Sequence, residues 1–147
     1  MYQHILVPVD LSHRSSWEKS LPTALNHIRQ LGGRLTVMTV VPEIDIGMTA
    51  VHFPKDYSKR VREEARQRLE AFVREQVPDE IGAEAVVGHG VIYKTILTQA
   101  EELGVDLIIM ASHRPELRDY LLGPNAARVV RHADCSVLVV REEANGG

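Results

Sequence analysis

Short, almost wholly apolar runs rich in β-branched residues recur along this 147-residue chain, and segments with helical periodicity separate them. The runs cover residues 4–9, 34–41, 84–87, 105–111 and 136–140. A strand with one face in water alternates apolar and polar residues. The first, fourth and fifth runs do not alternate, so they read as strands buried on both faces, as in a parallel sheet covered by helices. Parallel neighbours need long crossover connections, and the segments between the runs are of that kind.

Four of those segments read as helices. The first carries Trp17, Leu21, Leu25, Ile28 and Leu31 on one face, with Ser15 and Glu18 spaced as a capping box. Pro22 inside that pattern predicts a kink or a later true start. The second helix is expected over residues 57–76, with Val61, Ala65, Leu69, Phe72 and Val73 inward and a charged outer face. The third carries Ile92, Ile96, Leu97 and Ala100. The fourth starts near Gly123 and carries Ala127, Val130 and Ala133.

The order βαβαβαβαβ predicts an α/β fold: an open, doubly wound, parallel five-stranded sheet with helices on both faces and right-handed crossovers. Residues 1–147 are expected to form one domain. Seventeen basic and twenty acidic residues give a net charge of −3, which offers no electrostatic case for nucleic acid or an anionic membrane. No apolar run approaches the length of a membrane span. Cys135 is the only cysteine, so an intrachain disulfide is impossible, and a cytoplasmic protein is expected.

In open sheets of this kind ligands bind beyond the carboxyl ends of the strands, where the strand order reverses. Here that joins the ends of strands one and four. Strand one ends in Pro8-Val9-Asp10, whose carboxylate either accepts hydrogen bonds from a base or ribose or starts the following turn. Strand four ends in Met110-Ala111-Ser112-His113, and Gly123 then opens the fourth helix, where a glycine lets backbone approach a phosphate. Arg114, Arg118 and Arg128 are available to a triphosphate, or alternatively pair with Glu116 and Asp119. His113 either contacts a phosphate or closes the turn. The segment 42–54 is long enough for a lid or partner loop.

Other chemistries find little support. Neither a Walker motif nor G-x-S-x-G is present, and the histidines lack metal-ligand spacing. Gly88-His89-Gly90 is too short for a dinucleotide fingerprint and reads as a tight turn into the third helix. Cys135 abuts the fifth strand and reads as a buried, inert thiol.

Taken together, Ile5-Leu6-Val7-Pro8-Val9-Asp10, Thr39-Val40-Val41, Ile109-Met110-Ala111-Ser112-His113, Leu122-Gly123 and Cys135-Ser136-Val137-Leu138-Val139-Val140-Arg141 resemble the universal stress protein family from end to end. The resemblance implies an adenine-nucleotide α-hydrolase-like fold, a cytoplasmic homodimer and an ATP or AMP ligand, with Mg2+ as a companion of the nucleotide. It places adenine and ribose against Pro8, Val9, Asp10 and Val40. It places the phosphates against Met110, Ala111, Arg114, Gly123, Pro124 and Asn125. It pairs the fifth strands of two subunits, here Ser136 to Arg141, which would cover an apolar edge.

The family's ATP motif has Gly-x-x-Gly, nine residues, then Gly-Ser or Gly-Thr. Here Ala111 and Arg114 stand at the first two glycines, the spacing is one residue shorter, and Pro124 replaces the hydroxyl residue. Proline suits a first helical turn, so the helix is expected to survive while two phosphate donors are lost, at roughly 3–6 kcal/mol. The resemblance therefore implies a non-catalytic, adenine-nucleotide-binding regulator. The alternative is a non-nucleotide interaction protein on the same fold that regulates a partner such as a transporter or an enzyme. An α-hydrolase-type enzyme would need a Gly/Ser-rich loop after strand one, where this chain has Asp10-Leu11-Ser12-His13-Arg14.

Overall fold

The computed structural model describes residues 2–42, 57–112 and 122–141. Its strands are β1 (His4–Pro8), β2 (Arg34–Pro42), β3 (Glu84–Gly90), β4 (Leu107–Ala111) and β5 (Ser136–Val140). Its helices are α1 (Ser20–Leu31), α2 (Tyr57–Gln76), α3 (Ile92–Leu103) and α4 (Leu122–His132). All strand pairs are parallel, in the order β3-β2-β1-β4-β5, so the direction of winding reverses between β1 and β4.

The period-two geometry of strands divides the core into two layers. Ile5, Val7 and Val9 of the first strand region and Leu107 and Ile109 of β4 pack with Leu21, Ala24, Leu25 and Ile28 of α1 and Leu69 and Phe72 of α2. Leu6, Ile108 and Met110 point the other way, onto Ile92, Ile96 and Ala100 of α3 and Ala126 and Val129 of α4. β1 and β4 are buried along their whole length, as their unbroken apolar runs require. β5 is not: it is the edge strand, and Leu138 is 42% exposed, because only β4 flanks it.

Three helix readings are corrected. Leu31, expected on the inner face of the first helix, is 59% exposed at the end of α1. The Ser15–Glu18 capping box does not form. Ser15 lies in a short 3-10 turn (Arg14–Ser16), and α1 starts after Lys19 without a side-chain cap. Pro22 thereby falls in the first turn, where its missing N–H would have had no helical partner. On α4 the inward residues are Ala126 and Val129, one position before those expected. Ala127 is exposed and Val130 is 51% exposed, while Ala133 packs on the core edge.

The start of β1 is tied down by Asp106. Its carboxylate accepts from the backbone N–H groups of Gln3 and His4, each at 2.9 Å. Buried His4 donates from Nδ1 to the Leu103 carbonyl at 3.1 Å, and its Nε2 shares a hydrogen bond with the Thr36 hydroxyl at 2.7 Å. The Nδ1 role follows because a carbonyl can only accept. Burial pushes the Asp106 carboxyl up, but the backbone N–H groups of Gln3, His4 and Asp106 itself, with the neighbouring His4 ring, together hold it below the ordinary carboxylate value. A carboxyl depressed in the folded state stabilises the fold above its unfolded value, and that stability is lost as pH falls through the folded value. Asp106→Asn therefore costs about 1–2 kcal/mol at pH 7. In urea melts the gap from the parent protein closes as pH drops below about 4. An unchanged gap at pH 3 would mean that the carboxylate charge is not its source.

Candidate functional site

Registered pairing between β1 and β4 ends early at the carboxyl end of the sheet because a proline stands in a central strand. Registered pairs between β1 and β4 stop at Leu6 with Ile108, although the strands run on to Pro8 and Ala111. Successive N–H groups of a strand point to opposite neighbours. The N–H of Val9 donates to Met38 of β2 at 2.7 Å, so the Pro8 nitrogen faces β4 and has no proton to donate. On the β2 side the chain stays clamped, with the Thr39 hydroxyl donating to the Val9 carbonyl at 3.0 Å.

Asp10 stands just beyond this end of β1. Its Oδ1 accepts from the Ser12 N–H at 3.0 Å, and its Oδ2 lies 3.0 Å from His13 Nδ1. The expected turn-starting role is thus realised. A carboxylate offers about four acceptor positions, so this turn does not exhaust it. The side chain is mostly shielded, 11% exposed. Val40 is half-buried on β2 opposite Gly88 and packs on the α3–α4 layer. Pro8, Val9, Asp10 and Val40 are therefore gathered at one end of neighbouring strands.

On the β4 side, Met110 and Ala111 are buried, 0% and 4% exposed, and pack in the α3–α4 layer. The Ser112 N–H donates to the Val140 carbonyl at 2.9 Å. α4 begins at Leu122, which puts Gly123 and Pro124 in its first turn, and the helix forms despite the proline, as expected for that position. Asn125 Oδ1 accepts from the Tyr93 N–H in the first turn of α3 at 3.2 Å, joining the starts of the two helices. Arg128 lies over the Tyr93 ring at 5.4 Å. Arg114 lies outside the described residues, as do His113, Glu116, Arg118, Asp119 and segment 43–54.

Gly88-His89-Gly90 is not a turn but the end of β3, paired with Val40, Val41 and Pro42. A side chain at Gly88 would meet Thr95 Cγ2 at 2.4 Å and Met38 Cε at 2.6 Å, so this glycine lets α3 lie close on the sheet. The sequence reading also missed Ser16, Thr39 and the Asn125–Tyr93 link. Single polar residues in such positions carry no periodic or motif signal.

At the opposite end of the sheet a cleft of about 460 Å³ lies between the ends of α3 and α4, lined in part by Leu97, Glu101, His132 and Cys135. Cys135 is half-exposed rather than fully buried, and desolvation pushes its thiol above the ordinary value, which disfavours the reactive thiolate. Among the described residues no three His, Cys, Asp or Glu side chains gather to hold a metal ion. No described helix is long and apolar enough to cross a membrane.

A parallel sheet that changes winding direction between β1 and β4 defines an open doubly wound α/β protein, a class in which ligands bind at the switch point. The chain belongs to the universal stress protein family, whose model matches residues 1–141. Universal stress protein G of Shigella flexneri is 31% identical over 144 residues, 96% of this chain and 100% of that protein. A family structure from Burkholderia pseudomallei is 25% identical and superposes with a TM-score of 0.71, covering 95% of this chain and 96% of its own. An Arabidopsis thaliana family structure with AMP bound is 18% identical and shares the fold, with a TM-score of 0.65 over 98% of this chain and 94% of its own.

Proposed function

We propose that this protein is an adenine-nucleotide-binding regulator that takes ATP or AMP at the carboxyl ends of β1 and β4. It acts in the cytoplasm as a homodimer, through conformational or partner control rather than turnover. The observation that carries this reading is the Asp10 turn just beyond Pro8 at the end of β1, with carboxylate acceptor positions left for a ribose. AMP in the plant relative supports it. Pro8, Val9, Asp10 and Val40 take adenosine. Met110, Ala111, Arg114, Gly123, Pro124 and Asn125 line the phosphates, with Mg2+ as a companion of a triphosphate. The apolar β5 edge, with Leu138 exposed, suits strand pairing between subunits.

The test is to denature freshly purified protein, identify released nucleotide by mass spectrometry, and titrate ATP and AMP by calorimetry, with light scattering for the dimer. Affinities for ATP and AMP within about five-fold of each other are expected, a difference of about 1 kcal/mol or less. Asp10→Ala should weaken both by about ten-fold or more. No released nucleotide and no heat at millimolar ATP would overturn the reading. A second reading, partner control without nucleotide, is favoured by a specific observation: the Ser112 N–H and the side-chain Oδ1 of Asn125 are already engaged within the protein.

A further inference from the structure

The Asp10 turn is not held by Asp10 alone. Ser16, 0% exposed, places its hydroxyl at the centre of the loop that follows β1. Its Oγ accepts from the Asp10 N–H at 2.8 Å and donates toward the carbonyls of Asp10 at 2.9 Å and His13 at 2.7 Å. The backbone reinforces the same unit: the His13 N–H donates to the Asp10 carbonyl and the Ser16 N–H to the His13 carbonyl, each at 3.0 Å. The Ser20 hydroxyl then donates to the Ser16 carbonyl at 3.1 Å, tying the loop to the first turn of α1. Both backbone polar groups of Asp10 are thus fixed by one buried side chain, while the Ser12 N–H and His13 Nδ1 of the same turn hold the carboxylate itself. Removing the hydroxyl would leave the Asp10 N–H without this partner in a shielded site, which a chain avoids by rearranging.

We propose that Ser16 is a positioning residue that aims the Asp10 carboxylate at the ribose hydroxyls of the nucleotide, so that it sets discrimination between ribose and deoxyribose rather than general affinity. This rests on the nucleotide reading above. It makes Ser16 the residue through which the start of α1 governs the sugar end of the crevice.

The experiment compares AMP with 2′,3′-dideoxy-AMP by calorimetry in the parent protein, Ser16→Ala, Ser16→Cys and Asp10→Ala. Amide hydrogen exchange at Asp10 and Ser12 is followed without ligand. The parent should prefer AMP by about ten-fold, the size of one hydrogen bond to a charged group. In Ser16→Ala the preference falls to about two-fold or less, as in Asp10→Ala, and the Asp10 and Ser12 amides lose protection. Ser16→Cys keeps the side-chain volume and weakens the hydrogen bonds, so it serves if the alanine variant does not fold, with the same loss expected. A Ser16 variant that weakens both ligands equally and keeps the AMP preference overturns the proposal, since a purely structural role would do that. AMP binding without ribose preference in the parent overturns it while leaving the nucleotide reading intact. If the parent binds neither ligand, both fall, and the exchange data alone report whether Ser16 holds the turn.

Discussion

Pro124→Ser is expected to raise ATP affinity by about 10- to 100-fold while leaving adenosine affinity unchanged. The proline sits in the first turn of α4, where backbone N–H groups have no partner within the helix and point toward whatever lies at the strand ends. Serine restores two donors there, one N–H and one O–H, and removes neither the helix nor its dipole. Each hydrogen bond to a charged oxygen contributes about 1.5–3 kcal/mol, and incomplete alignment of the new pair brings the expected gain to the stated range. Calorimetry with adenosine, AMP and ATP separates the sugar from the phosphates. Equal gains for all three ligands would mean that the substitution changed the fold of the site. No gain for ATP would place the phosphates away from this turn, and the binding claim would then rest on Asp10 and its neighbours alone.

The second large effect is expected at Gly88. Gly88→Ala should cost about 2–3 kcal/mol and lower the melting temperature by roughly 6–9 °C. The added Cβ would stand 2.4 Å from Thr95 Cγ2 and 2.6 Å from Met38 Cε, closer than atoms can pack. The Met38 end can turn away, as a flexible thioether does, but Thr95 is β-branched and its hydroxyl donates to the Val91 carbonyl at 2.7 Å. α3 must therefore shift away from β3. Thr95→Ser removes the clashing methyl and keeps the hydroxyl, so the double variant should recover more than half of the loss in a double-mutant cycle. Additive effects would show that Thr95 is not the obstacle. The shift also carries a functional consequence: Asn125 links the first turn of α3 to that of α4, so Gly88→Ala should weaken ATP more than adenosine.

The layered architecture was legible because burial on both faces leaves a compositional mark. The unbroken apolar runs of β1 and β4 announced central parallel strands, and they are buried residue by residue. The same rule misled for β5, whose apolar run covers an edge. An edge strand that meets another subunit and a central strand need the same side chains, so the sequence does not separate them. The face of α4 slipped by one position for a related reason. Ala126, Ala127, Val129 and Val130 are all apolar, and only the helix's seat on β4 selects Ala126 and Val129.

The site divides along similar lines. Pro8-Val9-Asp10 was visible as a motif, and the physical meaning of its proline is local: a proline nitrogen donates no hydrogen bond wherever it sits. That the missing donor faces β4, and so ends registered pairing early where the winding reverses, depends on the Val9–Met38 bond and the strand order. The sequence by itself determined the order of strands and helices, the two-faced burial of the central strands and the tolerance of α4 for Pro124, because each follows from side-chain chemistry within a short window, and it determined the family through fragments spread from Ile5 to Arg141. Only the tertiary structure decided that Gly88 seats α3, that Asn125 joins two helix starts and that Ser16 fixes Asp10, because each depends on which backbone group lies within about 3 Å of a side chain, a distance that only packing sets.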